Sequence, residues 1–341
     1  MRALVVHEPG GAECLRLGEI GAPRPRPGHV VVRVEAAGVN PVDASNRADP
    51  TWAGIDPPYV VGYELAGVVA SLGEGVSSVA VGDGVWGLLP VRGTRWGAYA
   101  ELVEMREGWI ARRPPALAAV EAAAIPLAGS TALQLLDRLG LAEGDSLLVH
   151  GAAGGVGSLL VQLAAMQGVR VAGSAGRARR ELLAALGVEV ILDREDAGLF
   201  TAARERLGGP LDGVADLVGQ GLLARSLPDV REGGQAASIV ELSGDYEEAV
   251  DRNITLHGVL VRPSAATLDR LAAAVEAGAL RPVVDEVVEP ESIAAAHRRL
   301  ETGHGQGRLV LRIAGERSSR IRIPRPNKVG TSPVTRKPTR S

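Results

Sequence analysis

Residues 147–160 read LLVHGAAGGVGSLL, and the reading of this stretch decides the fold. Leu147, Leu148 and Val149 form a short apolar run of the kind found in a strand buried on both faces. The run ends in a turn of small residues, Gly151-Ala152-Ala153-Gly154-Gly155-Val156-Gly157. Leu159, Leu160, Leu163, Ala164 and Met166 then recur with helical spacing. Strand, tight turn and helix, in that order, are the context in which a glycine-rich turn takes a dinucleotide. Small residues let the backbone approach a pyrophosphate, and the start of the helix presents unpaired N–H groups and the positive end of its dipole. Ala152 stands where the first glycine of such motifs usually does, so the pattern is A-x-G-x-x-G.

Working outward, the texture differs on the two sides. Residues 1–118 are rich in Gly and Pro, with short Val-rich runs such as 30–34 and 65–69 separated by turn signals at 23–28 and 73–75, the pattern of a mostly antiparallel β domain. From about residue 119 apolar runs alternate with alanine- and leucine-rich helices. Strands are expected at 146–150, 170–173, 188–192, 213–217, 235–240 and 255–261, with a helix at 177–186. This alternation predicts a doubly wound parallel sheet. A helix at 264–276 follows, then a strand–helix–strand return at 283–288, 293–300 and 308–313.

The 341 residues suffice for two domains, and 46% hydrophobic against 23% charged residues is ordinary for a globular chain. No apolar run in the sequence approaches the roughly 18 residues that a bilayer span requires. The single cysteine, Cys14, excludes an internal disulfide and any multi-cysteine metal site, and a cytoplasmic address is expected. The net charge of −3 is uneven: residues 314–341 hold eight Lys or Arg and one acid, Glu316. With four prolines and little apolar periodicity, this basic tail is expected to be disordered and to make no dedicated nucleic-acid site.

The tip of the second strand of the parallel sheet bears on the cofactor. An NAD site places an Asp or Glu there for the ribose 2′-hydroxyl. Here the sequence runs Ser174-Ala175-Gly176-Arg177-Ala178-Arg179-Arg180, without an acid. Guanidinium groups match a phosphate, and cations at a helix start oppose the dipole unless an anion joins them. The reading is NADPH.

Several motifs coincide with one family: Gly38-Val39-Asn40-Pro41-Val42-Asp43, Gly62-Tyr63-Glu64-Leu65-Ala66-Gly67-Val68-Val69, Val81-Gly82-Asp83, Gly97-Ala98-Tyr99-Ala100-Glu101, the 151–157 turn and Gly307-Arg308-Leu309-Val310-Leu311. In this order they resemble the zinc-independent medium-chain dehydrogenase/reductases of the quinone oxidoreductase (zeta-crystallin-like) type, over residues 1–313. The resemblance implies an α/β chain: a GroES-like, mostly β catalytic domain from residues 1–118 and 263–313, around a Rossmann domain at 119–262. It implies a homodimer through the last Rossmann strand, 255–261, and NADPH-dependent reduction of quinones or of the C=C bond of enones.

The same resemblance assigns residues. The cofactor is expected against Asn40, Thr131, Gly154, Gly155, Val156, Gly157, Ser174, Arg177, Arg179, Arg194, Leu217, Val240, Arg262 and Arg308. Arg179 falls where relatives carry a phosphate-binding Lys, and Arg194 where they often carry a Tyr. Zinc-dependent relatives have Cys at the position of Asn40 and His at that of Tyr63, so the chain is expected to be metal-free. Asn40, Thr131, Arg262 and Tyr63 are the expected catalytic residues; Tyr63 either donates a proton or packs. Many quinone reductases have a Tyr shortly after Asp43, but this chain reads Ala48-Asp49-Pro50-Thr51-Trp52. An indole donates a hydrogen bond but is no general acid. Trp52, Tyr59, Tyr63 and Trp96 are the expected substrate pocket, suited to a flat apolar molecule, although core packing explains each aromatic equally well. Two other functions remain open: a pathway-specific enoyl reductase on a polyketide-like intermediate, and a redox-silent NADPH-binding protein.

Overall fold

The computed structural model describes residues 1–303 and 307–313; the basic tail at 314–341 lies outside the described residues. The described residues form fifteen strands, β1 (Arg2–Val5), β2 (Arg16–Glu19), β3 (His29–Val39), β4 (Glu64–Leu72), β5 (Gly84–Leu88), β6 (Leu102–Arg106), β7 (Ile110–Arg112), β8 (Ser146–His150), β9 (Arg170–Ala175), β10 (Val190–Asp193), β11 (Leu211–Asp216), β12 (Val230–Ser238), β13 (Thr255–Gly258), β14 (Val284–Val288) and β15 (Arg308–Arg312). They form a β1–β2 hairpin, a seven-stranded sheet and a six-stranded sheet.

The seven-stranded sheet runs β14-β15-β3-β4-β5-β7, with β6 also paired to β3. All its pairs are antiparallel except β14–β15. Its centre is therefore built from both ends of the chain, Leu309 of β15 facing Val39 of β3. The six-stranded sheet is parallel and ordered β10-β9-β8-β11-β12-β13, the doubly wound pattern. The order in which strands are added reverses between β8 and β11, so the ligand crevice of such sheets lies at the carboxyl ends of those two strands.

β8 begins and ends where the sequence placed it, and all five residues are buried. β9 runs on to Ala175, pairing Ser174 with His150 and Ala175 with Asp193. Gly173 permits this: a β-carbon there would sit 2.9 Å from the Ala152 methyl. The helix expected at 177–186 divides into a 3-10 turn, Arg177–Arg179, and a helix, Arg180–Ala185. β13 stops at Gly258, short of the expected 261, because the chain turns toward the other sheet. Val261 packs in the core of the seven-stranded sheet together with Leu127.

One composition argument is corrected. The helical segment spanning residues 119–139 is long and apolar enough to cross a membrane, although no uninterrupted apolar run signalled it. Most of it is buried, because its main helix, Pro126–Leu139, packs between the two sheets with helix Ala265–Glu276.

Candidate functional site

The glycine turn follows β8 as expected, and two of its glycines, Gly151 and Gly157, are sterically required. Gly151 has φ +76°, and a β-carbon on Gly157 would collide with the Gly151 carbonyl oxygen. Helix Gly157–Met166 starts there, so Gly155, Val156 and Gly157 lie where helix N–H groups lack intrahelical partners. Across the crevice, Asp216 at the end of β11 is fully buried. Its carboxylate accepts from the N–H groups of Val218 and Gly219 at 2.9 Å and of Leu223 at 3.2 Å, fixing the loop that carries Leu217. Val218 of that loop closes over Gly151. The sequence did carry a signal for Asp216, an acid ending an apolar run just before a glycine. Val240 lies on the neighbouring loop, its N–H bound to Ser238 Oγ at 3.1 Å.

A buried polar cluster lies directly on the turn. Arg308 Nη1 donates to Asn40 Oδ1 at 2.7 Å, and Nε to the Ala124 carbonyl at 3.1 Å. Its Nη2 pairs with Glu64. Glu64 Oε1 also accepts from Asn40 Nδ2 at 2.8 Å, and Oε2 from the Leu127 N–H at 2.7 Å. A β-carbon on Gly155 would lie 3.0 Å from Arg308 Nη1, so glycine at 155 lets the guanidinium sit against the turn without displacement. A carboxylate only accepts and a guanidinium only donates, so the Asn40 amide has one orientation here. One Nδ2–H faces Glu64, and the second remains to donate elsewhere. Thr131, one helical turn beyond Leu127, donates to the Leu127 carbonyl at 2.8 Å. The fold thus brings Asn40, Thr131, Gly155 and Arg308 together; Glu64, which ties them, was not foreseen.

Asp43 supports Asn40 from behind. Its Oδ2 accepts from the Asn40 N–H at 2.7 Å and from the Tyr99 hydroxyl at 3.0 Å. Burial pushes this carboxyl up to about 7, against about 3.9 in an unfolded chain. The folded protein therefore holds a proton that the unfolded chain has lost between roughly pH 4 and 7, and stability falls as pH rises through that window. Asp43→Asn should remove this component, so the variant gains on the wild type by up to about 4 kcal/mol from pH 4 to pH 8. Urea unfolding across that range checks it; parallel curves for the two proteins would refute it.

At the β9 tip, Ser174 Oγ lies 3.2 Å from His150 Nδ1, whose Nε2 is 2.8 Å from Ser226 Oγ. Burial holds His150 down to about 4, so it is a neutral packing histidine that orients Ser174. β9 itself carries no acid at its tip, as read, but an acid stands beside it on the next strand. Asp193 ends the adjacent strand β10, opposite Ala175, and pairs with Arg177. The sequence alone could not place it there, because strand register decides which residues share a tip. Arg194 lies beside Gly176, and Arg179 is half-buried nearby.

The expected pocket aromatics separate. Tyr59 and Tyr63 are completely buried, which corrects their placement in an open substrate pocket. The Tyr59 hydroxyl donates to the carbonyls of Asn46 and Arg47, both at 2.9 Å, and burial pushes it up to about 12. Tyr63 accepts from Asn46 Nδ2 at 2.6 Å, and burial raises its hydroxyl too. Both rings fill the core beside the helix Pro41–Ala48. Trp52 and Trp96 remain 39% and 42% exposed, with the guanidinium groups of Arg92 and Arg95 over their rings at 5.2 and 5.0 Å. Arg262 is exposed; its backbone is held by Gln134, which accepts from the Arg262 N–H at 3.0 Å and donates to its carbonyl at 2.7 Å.

A catalytic zinc does not fit this donor set. Zinc takes about three N, S or O donors. Here an amide oxygen already bound to Arg308, a phenol in the core and one carboxylate neutralised by a guanidinium offer no such set.

Comparisons with known proteins agree with this architecture. Residues 26–115 match the family described as the alcohol dehydrogenase GroES-like domain, and residues 186–311 the family described as zinc-binding dehydrogenase. The chain is 32% identical over 321 residues to 2-methylene-furan-3-one reductase of Solanum lycopersicum, covering 91% of this chain and 79% of that one. It is equally similar, with the same coverage, to the NADPH-dependent alkenal/one oxidoreductase, chloroplastic, of Arabidopsis thaliana. Quinone oxidoreductase of Lama guanicoe is 31% identical, with 91% of this chain and 97% of that one covered. The solved quinone oxidoreductase of Coxiella burnetii superposes with a TM-score of 0.84 at 30% identity, covering 92% of this chain and 99% of that one. The chain belongs to the medium-chain dehydrogenase/reductase family, among oxidoreductases of the quinone and alkenal reductase type.

Proposed function

We propose that this chain uses NADPH, without zinc, to reduce a quinone or the C=C bond of an α,β-unsaturated carbonyl compound. The observation that carries the reading is the Asn40–Glu64–Arg308 cluster seated on the glycine turn. A bound reduced nicotinamide would supply the hydride. The residues' task is then to orient the acceptor and stabilise the oxygen that becomes negative. Asn40 can do the second with its remaining Nδ2–H, since Glu64 and Arg308 fix the amide as a donor. Tyr59 and Tyr63, both made weaker acids by burial, are poor sources of the proton that completes the reduction. Water supplies it in this scheme, as suits an enolate. Ser174, Arg177, Arg179 and Arg194 would receive the 2′-phosphate, and the printed name of the Arabidopsis relative includes NADPH dependence.

The test is cofactor consumption with a 1,4-quinone, 2-alkenals and enoyl thioesters, together with titration of NADPH and NADH by fluorescence. Turnover of a quinone or alkenal with tighter NADPH binding is expected. Tight binding without turnover would leave a redox-silent protein, and turnover of thioesters alone would shift the reading to an enoyl reductase. The outer edge of β13, unpaired among the described residues and followed by the half-exposed Leu260, supports a homodimer by pairing of like edges, which sedimentation would show as a two-chain mass.

A further inference from the structure

We propose that Asp193 is a specificity-determining residue that weakens the hold of this site on a 2′-phosphate, so that the chain discriminates between NADPH and NADH less than its arginines alone would. This rests on the reading of the β9 tip as the 2′-phosphate site. The register of the parallel sheet sets Asp193 opposite Ala175, one strand from the position where an NAD-specific acid would stand. Its two oxygens have separate duties. Oδ1 accepts from the Glu195 N–H at 3.1 Å and shapes the turn after β10, while Oδ2 takes Arg177 Nε. The Arg177 side chain is 86% exposed, so solvent and an arriving ligand reach it, while its charge is already matched by a carboxylate. Glu195 and Asp196 follow in the same loop and add negative field around Arg177.

A phosphate arriving beside Arg177 therefore meets a cation already paired. Between pH 7.5 and 8 it carries close to two negative charges and is repelled by the Asp193 carboxylate at short range. Arg194 is anchored to the same tip, its N–H bonded to the Ala175 carbonyl at 3.0 Å, so the carboxylate and the arginines act on one locus. Asn at position 193 keeps a single amide oxygen, which can hold the Glu195 N–H, and turns an NH2 toward Arg177, so it removes the negative charge and the Arg177 ion pair together.

The experiment uses the full-length chain and two fragments, 2′,5′-ADP and 5′-AMP, titrated calorimetrically at pH 7.8 in low salt. Wild type, Asp193→Asn and Arg177→Ala are compared. The expected result is that Asp193→Asn tightens 2′,5′-ADP about fivefold and leaves 5′-AMP within twofold, a gain that shrinks in 0.5 M salt. Arg177→Ala should loosen 2′,5′-ADP alone. A 2′,5′-ADP to 5′-AMP ratio that stays within twofold of wild type in Asp193→Asn, or falls, overturns the proposal. A wild type that binds both fragments equally would instead count against NADPH as the cofactor. The Asp193→Asn ratio still decides the proposal in that case, since it is read against wild type.

Discussion

Glu64→Ala is expected to cost about 3–5 kcal/mol of stability, the range seen when one partner of a buried ion pair is removed. Glu64 is fully buried, and its carboxylate accepts from three segments: Arg308 on β15, Asn40 after β3, and Leu127 at the helix between the sheets. Alanine leaves the Arg308 charge in the interior with only neutral acceptors, and orphans the Leu127 N–H. The loss is thus mainly the desolvation of the survivors, not the attraction of the pair. Removing both charges, as in Glu64→Gln with Arg308→Met, should therefore recover most of it. Urea unfolding of the three proteins measures this; a Glu64→Ala midpoint equal to wild type would show that the pair is not buried as described.

The second large effect is catalytic. Asn40→Ala removes the one oriented amide donor left over by the cluster, and loss of a single donor of that kind typically lowers kcat by 10²–10³. NADPH affinity should stay within a few-fold, because the glycine turn and the β9 tip are untouched. Steady-state kinetics with a turned-over quinone or enone, beside a direct NADPH titration, separates the two quantities. Unchanged kcat would remove Asn40 from the chemistry, and lost NADPH binding would make it a cofactor ligand first.

What could be read ahead of the structure, and what could not, follows from range. The β8–turn–helix unit was legible because its causes are local: an apolar run, glycines at a tight turn, and a helical stripe directly after. In its own residues the seven-stranded sheet was legible only as a β-rich texture, since its pairing of β3 with β15 joins residues over 250 positions apart; the return of segment 263–313 to it came from the family resemblance. Glu64 sat in view inside the Gly62-Tyr63-Glu64 motif, but its partner lies 244 residues away. Asp193 was invisible for a related reason, being placed beside Arg177 by register and not by sequence distance. The aromatics misled because burial of a ring depends on what covers it. Tyr59 and Tyr63 are capped by Asn46 and the helix Pro41–Ala48 that carries it, whereas Trp52 and Trp96 stay at the surface under arginines.

The closure of Arg308 onto Gly155 and Glu64 also bears on the order of events during synthesis. The glycine turn and its parallel sheet lie in one continuous stretch and can fold while the chain is still being made. The guanidinium that finishes the site arrives with β15, long after Asn40 and Glu64 have left the ribosome. Until then the seven-stranded sheet lacks the strand that fits between β3 and β14, and the buried carboxylate lacks its counter-charge. A chain cut short before residue 308 would carry a formed nucleotide turn beside an open, unneutralised acid, so the arrival of β15 is itself the step that licenses the site.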